Sequence, residues 1–247
     1  MRVVSWNIEK NVDAWYHLAD QLDPDFAFIQ NSVALPEDIN GILIHAANTA
    51  DENSVIYAKV GGAYRLRSTM ALTDGGIVAT FGNGSLDDIH LLDVNPWNSV
   101  TYESARIMIS ELSRVTSFLS KKLTKRVIYA GQINVSGSEN DKVWTGFFKS
   151  LGKKQENSFE PLERFGLRDC STKFPAPLLP ASRCQLNHNS PFQSFFWATK
   201  EIYTTLRSIN VYLDDEIISL GPHLSLIHIS EPTRQAEMSY AVFCLKK

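Results

Sequence analysis

Alternating and helically spaced stretches of apolar residues succeed one another along this chain. Residues 2–8 alternate and are rich in β-formers, which predicts a first strand. Trp15, Leu18, Ala19 and Leu22 fall at helical spacing, so residues 14–22 are predicted to form a helix, broken by Asp23-Pro24-Asp25. Residues 26–29 read as a second, buried strand that ends at Gln30-Asn31. Strand, helix and strand in that order make an α/β unit. Short strands are predicted at Gly41–His45, 54–58, 77–81 and Ile89–Val94, with glycine-rich turns between them. Residues 101–122 carry the longest helical pattern, with Met108, Leu112, Val115 and Leu119 on one face. Further helices are expected at 144–151 and 161–165, a Pro-rich surface loop at 173–190, and strands at 192–198 and 206–213.

One stretch, RVIYAGQINVSG at residues 126–137, joins this pattern to chemistry. Val127, Ile128 and Tyr129 predict a buried strand. Gly131 is expected to end it, and a polar loop to follow. Gln132 and Asn134 would then stand at its mouth, two residues apart and so able to point the same way. A strand that ends in polar side chains is a common way to build a site, and also an ordinary strand end.

Composition narrows the classes. A chain of 247 residues, 44% hydrophobic and 21% charged, can bury a full core, as one large domain or two small ones. Its net charge of −3 carries no bulk affinity for nucleic acid, which leaves only a local patch for that purpose. Cys170, Cys184 and Cys244 have no metal-ligand spacing and read as free or buried thiols. No stretch approaches membrane-spanning length and the N-terminus does not resemble a signal peptide, so a cytoplasmic protein without membrane partners is expected.

Six segments, in order, resemble the endonuclease/exonuclease/phosphatase superfamily with its DNase I-like fold: VVSWNI, DPDFAFIQN, LLDVNPWN, VIYAGQINVSG, FQSFFWATK and SLGPH. The resemblance implies an α/β (α+β) four-layer sandwich, two face-to-face mixed β-sheets flanked by helices. It implies phosphodiester or phosphomonoester hydrolysis assisted by Mg²⁺, with nucleic acid or a small phosphoester as partner. Carried over residue by residue, Asn7, Asn134 and His223 match the pattern, with Gln132 in place of the aspartate that would activate water. Asn31 stands where a metal-binding glutamate is expected, Ser194 near an expected aspartate, and Asn95 near an expected His or Tyr. Pro222 replaces the aspartate before His223, or two residues of a longer Gly-Pro-Ser-Asp-His are missing.

These departures strip negative charge from the site. Mg²⁺ prefers anionic oxygen ligands. An amide cannot serve as a general base near neutral pH. The expectation is therefore an impaired, pseudoenzyme-like hydrolase. The alternatives are an active nuclease or phosphatase that uses Glu9, Asp93 or Asp169 for the metal, a non-catalytic phosphate- or nucleic-acid-binding module, or a non-functional gene product. Glu9 could share a strand face with Asn7, although Glu9, Asp93 and Asp169 also suit ordinary surface or loop positions. Asn7 and Asn134 could be buried structural amides. Trp6 and Trp197 read as core aromatics rather than base-stacking platforms.

The organisation expected is one domain over residues 1–223 and a non-native tail over 224–247. LSLIHISEPTR and SYAVFCLKK in that tail resemble the constant parts of a translated sequencing adapter, which points to a metagenomic or draft assembly. Residues 224–229 alternate well enough to supply a last strand all the same. Oligomeric state is left open.

Overall fold

A computed structural model describes residues 1–45, 54–71, 76–84, 88–94, 126–134, 163, 166–173, 192–212, 215–220 and 224–230. Within them lie two six-stranded mixed sheets packed face to face. The first is ordered β11 (Leu206–Tyr212), β12 (Leu224–Ile229), β1 (Arg2–Asn7), β2 (Phe26–Gln30), β4 (Val55–Lys59), β3 (Gly41–His45). The second is ordered β5 (Arg65–Ala71), β6 (Ile77–Gly82), β7 (Ile89–Val94), β8 (Val127–Asn134), β10 (Phe192–Thr199), β9 (Leu167–Asp169). Only β1–β2 and β7–β8 pair in parallel; every other neighbouring pair is antiparallel.

Period-two alternation sorts the side chains between layers. Val3, Phe26, Phe28 and Ile56 of the first sheet meet Ala79, Phe81, Leu91, Ile128 and Phe196 of the second. Phe26 packs on Phe81 with ring centroids 4.7 Å apart, and Phe28 meets Phe196 edge-on at 6.4 Å. The alternate residues Trp6, Ile29 and Tyr57 face outward and are covered by α1 (Asp13–His17), the turn after it, and α3 (Asp215–Leu220). Trp6 and Trp197 are buried, as expected of core aromatics. Two sheets with helices outside the first give the DNase I-like arrangement that the sequence resembles.

Several expectations change. Residues 14–22 are not one α-helix: α1 ends at His17, and Leu18–Leu22 widens into a π turn closed by Asp23 N–H donating to Leu18 O at 2.9 Å. The wider turn keeps both Leu18 and Leu22 buried. Gly131 does not end its strand. At φ +148 it lies inside β8, which runs on to Asn134, so the expected polar loop is paired strand instead. Strand β5 went unpredicted because it is an exposed edge strand, with no buried face to impose alternation on Arg65, Arg67 and Ser68. Helices α2 (Lys200–Thr205) and α3 were also missed; at six residues each they are too short to set up a periodic signal. The helices expected at 101–122 and 144–151 lie outside the described residues, as does that at 161–165 apart from Glu163 and the loop at 173–190 apart from Lys173.

Leu224–Ile229 is a strand, set between β1 and β11 with Ser225 opposite Ser5. The rest of the tail beyond Ser230 is outside the described residues. Among the described residues no helix is long and apolar enough to cross a membrane.

Candidate functional site at the shared strand rim

The parallel strands of both sheets end at one rim. In the first sheet Asn7 lies opposite Gln30, and in the second Val94 lies opposite Gly131. Ser54 stands one residue before β4, a register step beyond the Ile29–Val55 pair. Its hydroxyl donates across the sandwich to Asp93 Oδ2 on β7. That contact ties the carboxyl ends of β1 and β2 to those of β7 and β8.

Alternation decides what the rim contains. Val3 and Phe28 face the inter-sheet core, so Ser5, Asn7 and Gln30 fall on the same face; on β7, Asp93 follows Ile89 and Leu91. The layer is thus apolar along most of its depth and polar at its end, where Ser5, Asn7, Gln30, Ser54 and Asp93 are all buried.

Two side-chain pairs organise this end. In the first, Asn7 Oδ1 accepts from Asn31 Nδ2 and from the Glu9 backbone N–H, each at 3.0 Å. Glu9, Lys10 and Asn31 adopt φ of +46, +62 and +50 respectively, a cluster of left-handed backbone where β1 and β2 end. Lys10 N–H donates to Asn31 O at 2.7 Å and Ile8 N–H to Gln30 O at 3.1 Å, which pin the two chain ends together. The second pair is Ser54 and Asp93. Asp93 has no solvent exposure, and its Oδ1 has no hydrogen-bond partner among the described residues. Burial pushes the Asp93 carboxyl up to about 7, against the smaller opposing effect of the Ser54 hydrogen bond.

The site residues expected from sequence divide as follows. Asn7 and Asn31 are in contact. Gln132 and Asn134 occupy alternate positions of β8, with Gln132 paired to Ser194 and Asn134 to Phe192 on β10. His223 and Asn95 lie outside the described residues. Glu9 does not share a strand face with Asn7, because β1 stops at Asn7 and Glu9 sits in the following turn with an exposed side chain. Asp93 is no surface acid but a fully buried one. Sequence reading missed Ser54 as a site component. The signal available for Asp93 was its place in LLDV, at the same parity as Ile89 and Leu91.

The residues described do not fit a Mg²⁺ site of the kind the resemblance implies. An amide oxygen has two lone pairs, and both at Asn7 Oδ1 already accept hydrogen bonds. Asn31 brings a donor where a cation would need an anionic oxygen. No group of three His, Cys, Asp or Glu able to hold a metal occurs among the described residues.

No family model matches the sequence, and no curated protein matches it. Solved structures do match in fold. The chain resembles an AP endonuclease from Archaeoglobus fulgidus at 11% identity and a TM-score of 0.63, covering 94% of this chain and 100% of that one. It resembles the 3′-5′ exonuclease NExo from Neisseria meningitidis at 12% identity and a TM-score of 0.61, covering 94% and 100%. The endonuclease domain of the telomere-specific retrotransposon TRAS1 matches at 12% identity and a TM-score of 0.58, covering 94% and 99%.

Proposed function

We propose that this chain is a divergent member of the endonuclease/exonuclease/phosphatase superfamily whose conventional Mg²⁺-dependent phosphodiester hydrolysis is impaired. The observation that carries the reading is the Asn7–Asn31 amide pair, which occupies with neutral, mutually satisfied groups the position where a metal-binding carboxylate is expected. Gln132, a second neutral amide, offers no base to activate water. In this reading Asn7, Asn134 and His223 would recognise a phosphate ester or nucleic acid, with Asn95 and Ser194 as further contacts to the ligand. Support for that ligand class comes from structural neighbours, such as the TDP2 structure from D. rerio complexed with single strand DNA product. Binding by neutral donors around one histidine is modestly salt-dependent, unlike a phosphate grip built from many cations.

The active alternative rests on Glu9, Asp93 or Asp169. Glu9 is exposed on a turn, and Asp93 is sealed from solvent, where it could not meet a phosphate. The test is turnover. Purified protein is given Mg²⁺ or Mn²⁺ with abasic duplex DNA, single-stranded DNA, RNA and a small phosphodiester. The expected outcome is cleavage at background, with binding that weakens in His223→Ala. Robust Mg²⁺-dependent cleavage that His223→Ala abolishes overturns the proposal.

A further inference from the structure

Next to the Asn7–Asn31 pair, the inter-sheet layer holds buried side-chain oxygens without hydrogen-bond partners among the described residues. Gln30 is buried; its Nε2 donates to Phe28 O at 3.1 Å, and its Oε1 has no partner among the described residues. Gln30 lies one register step beyond the Ile29–Val55 pair, opposite Ser54, which in turn binds Asp93. Neighbouring strands are spaced roughly 4.8 Å apart, so Gln30 and Ser54 share one patch of the first sheet. Asp93 Oδ1 and Gln30 Oε1 are therefore two buried acceptor oxygens at one end of the sandwich, with the Ser54 hydroxyl oxygen between their strands. Ser5 Oγ, on the strand beyond β2, is a further buried oxygen without a partner among the described residues.

No side chain described brings a positive charge to these oxygens. Strand β6 brings Ile77 opposite Asp93, and β8 brings Ala130. Tyr129 of β8 alternates with the inward Ile128 and Ala130, and His90 of β7 is paired with Thr80 at 2.9 Å. On β4, Tyr57 faces outward, and Lys59 is bound to Asp23 at the opposite end of the strand. Strand β2 has no ionisable residue. Each buried oxygen left unmet is costly, and an unpaired buried carboxylate more so.

We propose that this layer is a buried site for a monovalent cation, sodium or potassium, held by Asp93 Oδ1 and Gln30 Oε1 with Ser54 Oγ beside them. The ligand set decides the ion. All donors are hard oxygens, and one carboxylate supplies a single negative charge. A monovalent cation neutralises it; a divalent ion would leave a net positive charge sealed from solvent. The site clamps the two sheets at the rim, whether or not the mouth turns over a phosphoester.

The full chain is unfolded thermally at about pH 8 in sodium, potassium or choline chloride at equal ionic strength. At about 0.2 M salt, sodium or potassium is expected to raise the midpoint by about 4 °C over choline. The difference should vanish in Asp93→Asn. Equal midpoints in all three salts at about pH 8 overturn the site and leave proton or water as the occupant; so does a cation effect that survives Asp93→Asn. Should Asp93→Asn fail to fold, crystals of the native chain soaked in thallium(I) decide. An anomalous peak within bonding distance of Asp93 Oδ1 and Gln30 Oε1 supports the proposal, and its absence overturns it.

Discussion

Asn7 with Asn31, and Ser54 with Asp93, sit side by side at one rim and handle polarity in opposite ways. The asparagine pair is neutral, caps the ends of β1 and β2, and directs Asn7 Oδ1 to two donors. The Ser54–Asp93 pair links the sheets through a carboxyl group that water does not reach and that is met on only one oxygen among the described residues. The described charge of the two pairs thus lies on the one that solvent does not reach. A buried carboxyl does no hydrolysis, but it makes the junction between the sheets sensitive to protons and cations. The difference teaches that a neutral amide pair at a rim does not make the whole rim free of ionisable groups.

The largest expected effect falls on the carboxyl side of this contrast. Folding holds the Asp93 proton to about pH 7, whereas in the unfolded chain it leaves near pH 4. Between those values the folded state binds the extra proton, so stability falls as pH rises and levels off above the folded value. In choline chloride the native chain should lose on the order of 4 kcal/mol across that window. Asp93→Asn, which cannot ionise, should show no such loss and be the more stable protein at about pH 8. Urea unfolding at several pH values measures both; parallel profiles for the two proteins would show that Asp93 is not buried as described.

Ser54→Ala tests the same pair from the other sheet. It removes the only donor described for Asp93 and should cost about 2 kcal/mol. In a double-mutant cycle with Asp93→Asn the two changes should couple by about 1 kcal/mol or more. Additive costs would mean that the sheets are not joined here.

How far the sequence disclosed this arrangement depends on burial on both sides of a strand. Strands β1, β2, β4, β6 and β7 were placed to within a residue or so, because sheet faces packed on both sides impose a strong apolar pattern; edge strand β3 was placed through its short apolar run Ile42-Leu43-Ile44. Edge strand β5 lacked that constraint and was missed. Gly131 misled because a glycine usually punctuates, yet here its freedom at φ +148 lets β8 continue. At the site, motif order brought out Asn7 and Asn31, which touch. It did not disclose Ser54–Asp93, since that contact depends on which end of one sheet packs on which end of the other.

On the amide side the effects are smaller. Asn7→Ala deprives Asn31 Nδ2 and the Glu9 N–H of their common acceptor. Both groups lie where water can partly replace it, so the cost should be roughly 1 kcal/mol, without pH dependence between pH 5 and 8. A pH-dependent cost in chemical denaturation would mean that the amide pair and the carboxyl pair are coupled rather than independent neighbours.

The smallest effect is expected at Glu9, where the two accounts of the mouth separate most cleanly. Its φ of +46 strains a side-chain-bearing residue by roughly 1–2 kcal/mol, which glycine would relieve. Glycine also loses more backbone entropy on folding, by roughly 0.5–1 kcal/mol. The difference favours Glu9→Gly by about 0.5 kcal/mol, since the exposed side chain leaves no buried contact behind. If Glu9 were instead a metal ligand, the same change would erase any stabilisation that Mg²⁺ confers. Thermal unfolding of both proteins with and without Mg²⁺ decides. A small gain in both conditions fits a mouth without charge, and a Mg²⁺-dependent midpoint in the native chain that disappears in Glu9→Gly would return a carboxylate to the mouth.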